Sequence, residues 1–118
     1  MTLQHTSLET RPSDVEAELA FWALLGFEHV AEPEALHGRA TWVACGGTHI
    51  HLLHADAPTV MPRGHVAVHV DDYDATLGRL GDAGFDVRPG EELWGEPRAF
   101  VHSPGGLRVE VMAVPPPP

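Results

Sequence analysis

The chain has 118 residues, 43% of them hydrophobic, and a formal net charge of −10. This length and apolar content suit one globular domain, and the acidic charge argues against nucleic acid as a partner. Every basic side chain is Arg and none is Lys, which excludes Schiff-base chemistry and a phosphate-binding P-loop. The single cysteine, Cys45, excludes an intrachain disulfide and a cysteine-based zinc site.

The first half of the chain has the pattern of a β-α-β-β-β unit. Residues 3–9 alternate in polarity as a strand does, and Ser13 to Glu16 resembles a capping box before a helix that ends at Gly26. Three strands are predicted next, with Gly46-Gly47 as the turn between the last two: residues 27–32, 39–45 and 48–54. Cys45 lies in an apolar strand run, where a cysteine is typically a small buried side chain.

The second half repeats this order after a proline-containing linker at residues 55–63. A strand is predicted over residues 64–70, and a helix that begins near Asp72 ends at Gly84, because Asp favours helix starts and Gly favours ends. The remaining predicted strands are residues 85–88, 97–102 and 107–113, before a proline-rich tail at 114–118. The sequence thus predicts an α+β fold in which two tandem β-α-β-β-β modules, residues 3–54 and 64–113, form a single domain over residues 1–118.

Four polar positions recur with the period of this repeat. His5 and His65 open the two modules and lie 60 residues apart, and His51 and Glu110 lie near their ends, 59 residues apart. Three imidazoles and a carboxylate are a ligand set that suits a divalent transition metal. Alternation along the strands puts Val and Leu on one face and the polar candidates on the other. We therefore expect one curved mixed sheet around a cavity, with the helices on its outer face.

Three segments together resemble the vicinal oxygen chelate superfamily, which includes glyoxalases, bleomycin-resistance proteins and extradiol dioxygenases. They are FWALLGF at 21–27, GHVAVHVDD at 64–72 and SPGGLRVEV at 103–111. The resemblance covers residues 3–113 and implies metal ligands at His5, His51, His65 and Glu110. It departs at His51, where similar glyoxalases have Glu and similar epimerases have Gln. His51 is a competent metal ligand. In similar glyoxalases, however, a carboxylate at this position helps to transfer a proton between substrate carbons, and here only the carboxylate of Glu110 remains.

The resemblance implies a metal-dependent enzyme of glyoxalase or dioxygenase type that acts on a small oxygen-chelating substrate. Its cofactor would be one Zn, Ni, Co, Mn or Fe ion, and lyase or isomerase chemistry would use Glu110 and His51 as catalytic groups. Other members of the superfamily catalyse dioxygenation or modify antibiotics, and the resemblance leaves these reactions open for this chain. The alternative function is that of a metal-free, bleomycin-resistance-type binding protein. Side chains predicted to contact the substrate share the polar face or lie in a nearby loop: Trp42, His69, Trp94, Arg98 and Phe100.

The sequence also gives expectations about partners and location. No basic and apolar leader opens the chain, and no run of about 20 apolar residues occurs, so we expect a cytoplasmic protein without a membrane partner. Family members of this length commonly pair, which implies a homodimer with a cavity shared between two chains. In such a dimer His5 and His51 of one chain would meet His65 and Glu110 of the other.

Overall fold

The structure, a computed structural model, describes residues 1–118 and divides into two compact units, Met1–Val60 and Met61–Pro118. Each unit contains one α-helix and one four-stranded mixed sheet, so the predicted α+β class and the repeated β-α-β-β-β order are confirmed. The strands form two separate hydrogen-bonded sheets rather than one continuous ladder. Neither α-helix is long and apolar enough to span a membrane.

The first unit has its strands in the order β1-β4-β3-β2, with β1 parallel to β4 and the other neighbours antiparallel. Its elements are β1 (His5–Thr10), α1 (Val15–Leu24), β2 (Glu28–Val30), β3 (Ala40–Cys45) and β4 (Thr48–His54). Phe21 and Trp22 of α1 are fully buried, and the Trp22 ring meets the Phe27 ring edge to face at 5.4 Å. Gly26 ends the helix at φ +91°, a conformation that side chains with a Cβ rarely adopt.

The second unit repeats this topology in the order β5-β8-β7-β6. Its elements are β5 (Val66–His69), α2 (Tyr73–Asp82), β6 (Arg88–Pro89), β7 (Arg98–His102) and β8 (Arg108–Met112). The Asp72 side chain accepts a hydrogen bond from the Ala75 amide, so the predicted acidic start of α2 is confirmed. Gly84 has the same φ of +91° as Gly26, in the same place after the helix.

Strand alternation divides the sheets as the sequence predicts. Ile50 and Leu52 of β4, and Val109 and Val111 of β8, are almost fully buried on the apolar faces. His51 and Glu110 occupy the opposite faces and are nevertheless only 7% and 6% exposed. Burying polar groups is unfavourable unless other groups hold them, so the partners of these two side chains decide their role.

Three local predictions are wrong. No capping box precedes α1: Pro12–Asp14 form a 3-10 turn, so Asp14 has helical angles and its side chain caps no amide. Cys45 is exposed, because it is the last residue of β3 before the Gly46-Gly47 turn. The strand expected at residues 85–88 begins only at Arg88, since Phe85 N–H still donates to the Leu80 carbonyl in the cap of α2.

Candidate functional site

In the first unit, three aromatic rings lie in parallel across neighbouring strands. His51 is on the inner strand β4, with His5 on β1 to one side and Trp42 on β3 to the other. The His51 ring is 4.1 Å from the His5 ring at an angle of 19°, and 3.9 Å from the Trp42 ring at 5°. His51 is therefore sandwiched between an imidazole and an indole, which explains its low exposure. We call Trp42, His51 and His5 the aromatic stack.

The surroundings of His51 in the aromatic stack disfavour its charged form. Burial lowers the pKa of His51, and the neighbouring His5 and His49 lower it further, since two imidazolium charges side by side repel. His51 Nε2 lies 3.3 Å from His49 Nδ1, close enough to share one proton in a hydrogen bond. A neutral imidazole keeps a lone pair, which is what both a metal ligand and a proton acceptor need.

The two stacked imidazoles are not arranged to bind one ion together. Imidazole nitrogens bind a metal along a lone pair in the ring plane, and two nearly parallel planes 4.1 Å apart do not converge on one point. His5 is the freer partner, because it is exposed and hydrogen-bonded to the adjacent Gln4 at 2.6 Å. This pair fits a metal only when His5 rotates away from the stack.

In the second unit, His65 and Glu110 form a direct pair. His65 Nε2 lies 3.0 Å from Glu110 Oε1, and Arg98 Nη1 lies 3.5 Å from the other oxygen, Oε2. Two ligands of one ion with bonds of about 2.0–2.2 Å lie about 3.0–3.5 Å apart, so this hydrogen-bonded pair is also close enough to share an ion. The buried carboxylate is thus shared between an imidazole and a guanidinium.

The other nitrogen of His65, Nδ1, lies near both a hydrogen-bond acceptor and a hydrogen-bond donor, and the two favour different tautomers of the ring. His65 Nδ1 is 2.9 Å from the Arg63 carbonyl oxygen and 2.9 Å from Arg108 Nη1. Bonding to the carbonyl requires a proton on Nδ1 and leaves a lone pair on Nε2, whereas accepting from Arg108 puts the proton on Nε2, facing Glu110. Only the first tautomer can bind a metal through Nε2, and its bond to a backbone carbonyl is typical of metal-ligating histidines.

Two guanidinium groups contact the Phe100 ring, which lies beside the His65–Glu110 pair. Arg108 Cζ lies over the Phe100 ring at 3.8 Å and Arg98 Cζ at 5.1 Å, while Arg98 also lies 6.0 Å from the Trp94 ring. The register pairs Phe100 with Glu110, so these side chains share one face of the sheet. Cation–π contacts of this kind hold a guanidinium plane against an aromatic face.

The structure brings most of the predicted site residues into these two groups. His69 stands apart, exposed on β5 beside Met112. Sequence reasoning did not select His49 or Arg108 for the site, although each alternates with a selected residue two positions away. No group of three or more His, Cys, Asp or Glu side chains is placed to hold a metal ion. A cavity of about 330 Å³ in the first unit contains none of the predicted residues and is lined by His29, Ala31, Glu32, Glu34 and His37.

Comparison with known proteins agrees with this topology. Residues 2–111 match the model of the Glyoxalase/Bleomycin resistance protein/Dioxygenase superfamily. "Glyoxylase I 4" of Arabidopsis thaliana is 28% identical over 93% of this chain and 69% of its own length. A putative glyoxalase family protein from Bacillus anthracis is 26% identical with a TM-score of 0.86, over 95% of this chain and 93% of that one. TnmS3, an antibiotic binding protein from Streptomyces sp. CB03234, is 26% identical with a TM-score of 0.70, over 95% and 94%. The chain belongs to the Glyoxalase/Bleomycin resistance protein/Dioxygenase superfamily.

Proposed function

We propose that the protein is a divalent-metal-dependent enzyme that carries out lyase or isomerase chemistry on a small substrate with two neighbouring oxygen atoms. The ion would be Zn, Ni, Co, Mn or Fe, held by His5, His51, His65 and Glu110. The observation that carries this proposal is the 3.0 Å pair of His65 Nε2 and Glu110 Oε1, whose imidazole also has a backbone carbonyl at its second nitrogen. Its relatives include a protein named as a glyoxalase I, which supports the reaction class.

The chain's own groups supply proton transfer. A bound ion would act as a Lewis acid that stabilises negative charge developing on substrate oxygens. Glu110 is the first proposed base, because it is a buried carboxylate whose oxygens are oriented by His65 and Arg98. His51 is the second, because burial lowers its pKa and disfavours its charged form, so that its imidazole would offer a lone pair when it is not bound to the metal.

The metal content of tag-free protein tests this proposal without any substrate. Elemental mass spectrometry should find about one transition-metal ion per chain, the stoichiometry of a single catalytic site. His65→Ala and Glu110→Ala should each remove most of this metal, whereas His102→Ala, which removes an exposed imidazole from the same unit, should retain it. Protein that binds none of the five metals after reconstitution would rule the enzyme out.

We also propose that two chains share the site as a homodimer. Each unit brings a pair of the four donors to one sheet face, fewer than the three protein ligands of a typical catalytic zinc site. Pairing His5 and His51 of one chain with His65 and Glu110 of another completes the set. Mixing the His5→Ala chain with the Glu110→Ala chain should restore metal binding to about half of the mixed dimers' sites, because one of the two sites then has all four ligands. No recovery in the mixture would contradict sharing.

The aromatic stack supports a second candidate, metal-free binding of a flat aromatic molecule. Trp42 and His51 lie parallel at 3.9 Å, and a ring surface of this kind accepts a further ring by stacking. TnmS3, a superfamily relative, is described as an antibiotic binding protein. Chelator-treated protein should then bind acridine and lose this binding in Trp42→Leu, measured by the fluorescence of acridine. Binding that needs added metal would favour the enzyme instead.

A further inference from the structure

We propose that the substrate carries a carboxylate, and that Arg98 and Arg108 bind it beside Glu110. This inference rests on the proposed function, since it assigns the charge of the molecule that the site handles. It starts from an imbalance of charge. The Arg98 guanidinium contacts the Glu110 carboxylate, and the Arg108 guanidinium contacts His65, the other partner of Glu110, in a chain whose formal net charge is −10. A positive group in an otherwise acidic protein attracts anions to one place.

The two guanidinium groups lie against the same aromatic ring. Their Cζ atoms lie 3.8 Å and 5.1 Å from the centre of the same Phe100 ring, so they are separated by at most about 9 Å. Neither is merely a solvated surface arginine, because Arg98 is only 14% exposed and Arg108 is partly buried. The Glu110 carboxylate carries one negative charge beside these two positive charges, so a second anion near them would be favourable.

Each arginine has donors left over for a ligand. The hydrogen bonds of Arg108 to the Arg63 carbonyl and to His65 both use Nη1. Arg98 donates from Nε to the Glu91 carbonyl at 2.7 Å and contacts Glu110 through Nη1. A guanidinium has five N–H donors, and those at its edge remain available when its plane lies over a ring. A planar fork of this kind matches a carboxylate in two parallel bonds.

The backbone at Gly90 helps to position the Arg98 side chain. Gly90 hydrogen-bonds through its N–H to the Arg98 carbonyl at 2.9 Å. A Cβ at Gly90 would come within 3.1 Å of the Phe100 ring and 3.4 Å of Arg98 Cζ, so the absence of a side chain there makes room for both. Arg98 is thus positioned in advance, and its contact with the Glu110 carboxylate shows which kind of group it recognises. A metal that takes Glu110 would release Arg98 to a carboxylate on the substrate.

Titration with benzoate tests this assignment, with benzamide as its uncharged counterpart of the same shape. The titration uses ¹⁵N-labelled, chelator-treated protein, so that its result does not depend on metal, and follows the arginine Nε–Hε signals. Benzoate should shift the Arg98 and Arg108 signals while benzamide does not. Arg98→Gln should weaken benzoate binding by about tenfold, the usual effect of losing a charged two-point contact. Arg39→Gln is the matched control, since Arg39 is an exposed arginine of the first unit and should keep binding unchanged.

A second variant is expected to bind benzoate more tightly, a result that misfolding could not produce. Glu110→Gln removes the internal carboxylate that competes for Arg98, so it should tighten benzoate binding several-fold in the same metal-free protein. The same change should abolish metal binding, so failure of the metal site and failure of the anion site give different results. Equal binding of benzoate and benzamide overturns the assignment. So does an Arg98→Gln protein that binds benzoate as tightly as the Arg39→Gln control.

Discussion

The two units have the same strand order but opposite chemistry on their polar faces. The first unit presents the aromatic stack of Trp42, His51 and His5, held by ring contacts. The second presents an ionic network in which Glu110 is shared by His65 and Arg98. Equivalent positions on repeated strands therefore do not dictate equivalent electrostatics. The neighbours on the adjacent strand decide whether a buried polar group is held by stacking or by charge.

The helices differ in the same way. Helix α1 is apolar along most of its length, with Phe21 and Trp22 fully buried, and has no side-chain cap at its start. Helix α2 is short of apolar residues and buries Leu80 and Thr76, but the Asp72 side chain caps it. One helix is thus stabilised mainly by packing and the other in part by its terminus, a difference that substitutions can test.

Removal of the main packing group of the first unit should have the largest effect. Trp22→Ala should lower the free energy of unfolding by about 3–5 kcal/mol, because it deletes a fully buried indole and leaves a cavity. Leu80→Ala in α2 should lower it by about 2–5 kcal/mol, with the smaller side chain removing fewer contacts. Urea denaturation followed by far-UV circular dichroism measures both. A larger loss from Leu80→Ala would contradict the view that packing matters most in the first unit.

The helix caps offer a matched pair with a smaller effect. Asp72→Ala should lower the free energy of unfolding by about 1 kcal/mol, since the Ala75 amide loses its acceptor at 3.0 Å. Asp14→Ala at the start of α1 should change it by less than about 0.5 kcal/mol, because Asp14 caps no amide. The same denaturation experiment compares the two. Equal losses would show that the cap hydrogen bond is not what distinguishes these helices.

The titration of His51 tests whether the aromatic stack lowers the pKa of this residue. The His51 pKa should lie below the ordinary imidazole value of about 6.5, because burial and the neighbouring imidazoles disfavour the charged form. Trp42→Leu should raise it towards that value by exposing the ring. Two-dimensional NMR of the imidazole Cε1–H signals measures both midpoints in metal-free protein. An unchanged midpoint in the variant would show that the stack is not responsible.

The same shift has a consequence for stability at acidic pH. Because the folded state holds His51 with a lowered pKa, the unfolded chain takes up its proton first as the pH falls. The contribution of His51 is therefore fully present above about pH 6.5 and is lost as the pH falls through the folded pKa. Trp42→Leu should flatten this part of the stability profile.

Much of the fold was predictable because its signals are local. Period-two alternation located β4 and β8 within a residue, and the Gly residues at positions 26 and 84 marked both helix ends through their positive φ. The wrong predictions also have local causes. Pro12 starts a 3-10 turn that replaces the expected cap, and the cap of α2 delays the strand after Gly84.

The sequence by itself determined the repeated β-α-β-β-β order and put His51 and Glu110 on the faces opposite the apolar core, since strand alternation depends only on neighbouring residues. Only the tertiary structure decided their partners. Strand register set Trp42 against His51 and Phe100 against Glu110, and it brought Arg98 to a carboxylate 12 residues away. Contacts across strands depend on pairing between distant segments, and single-chain alternation carries no information about that pairing.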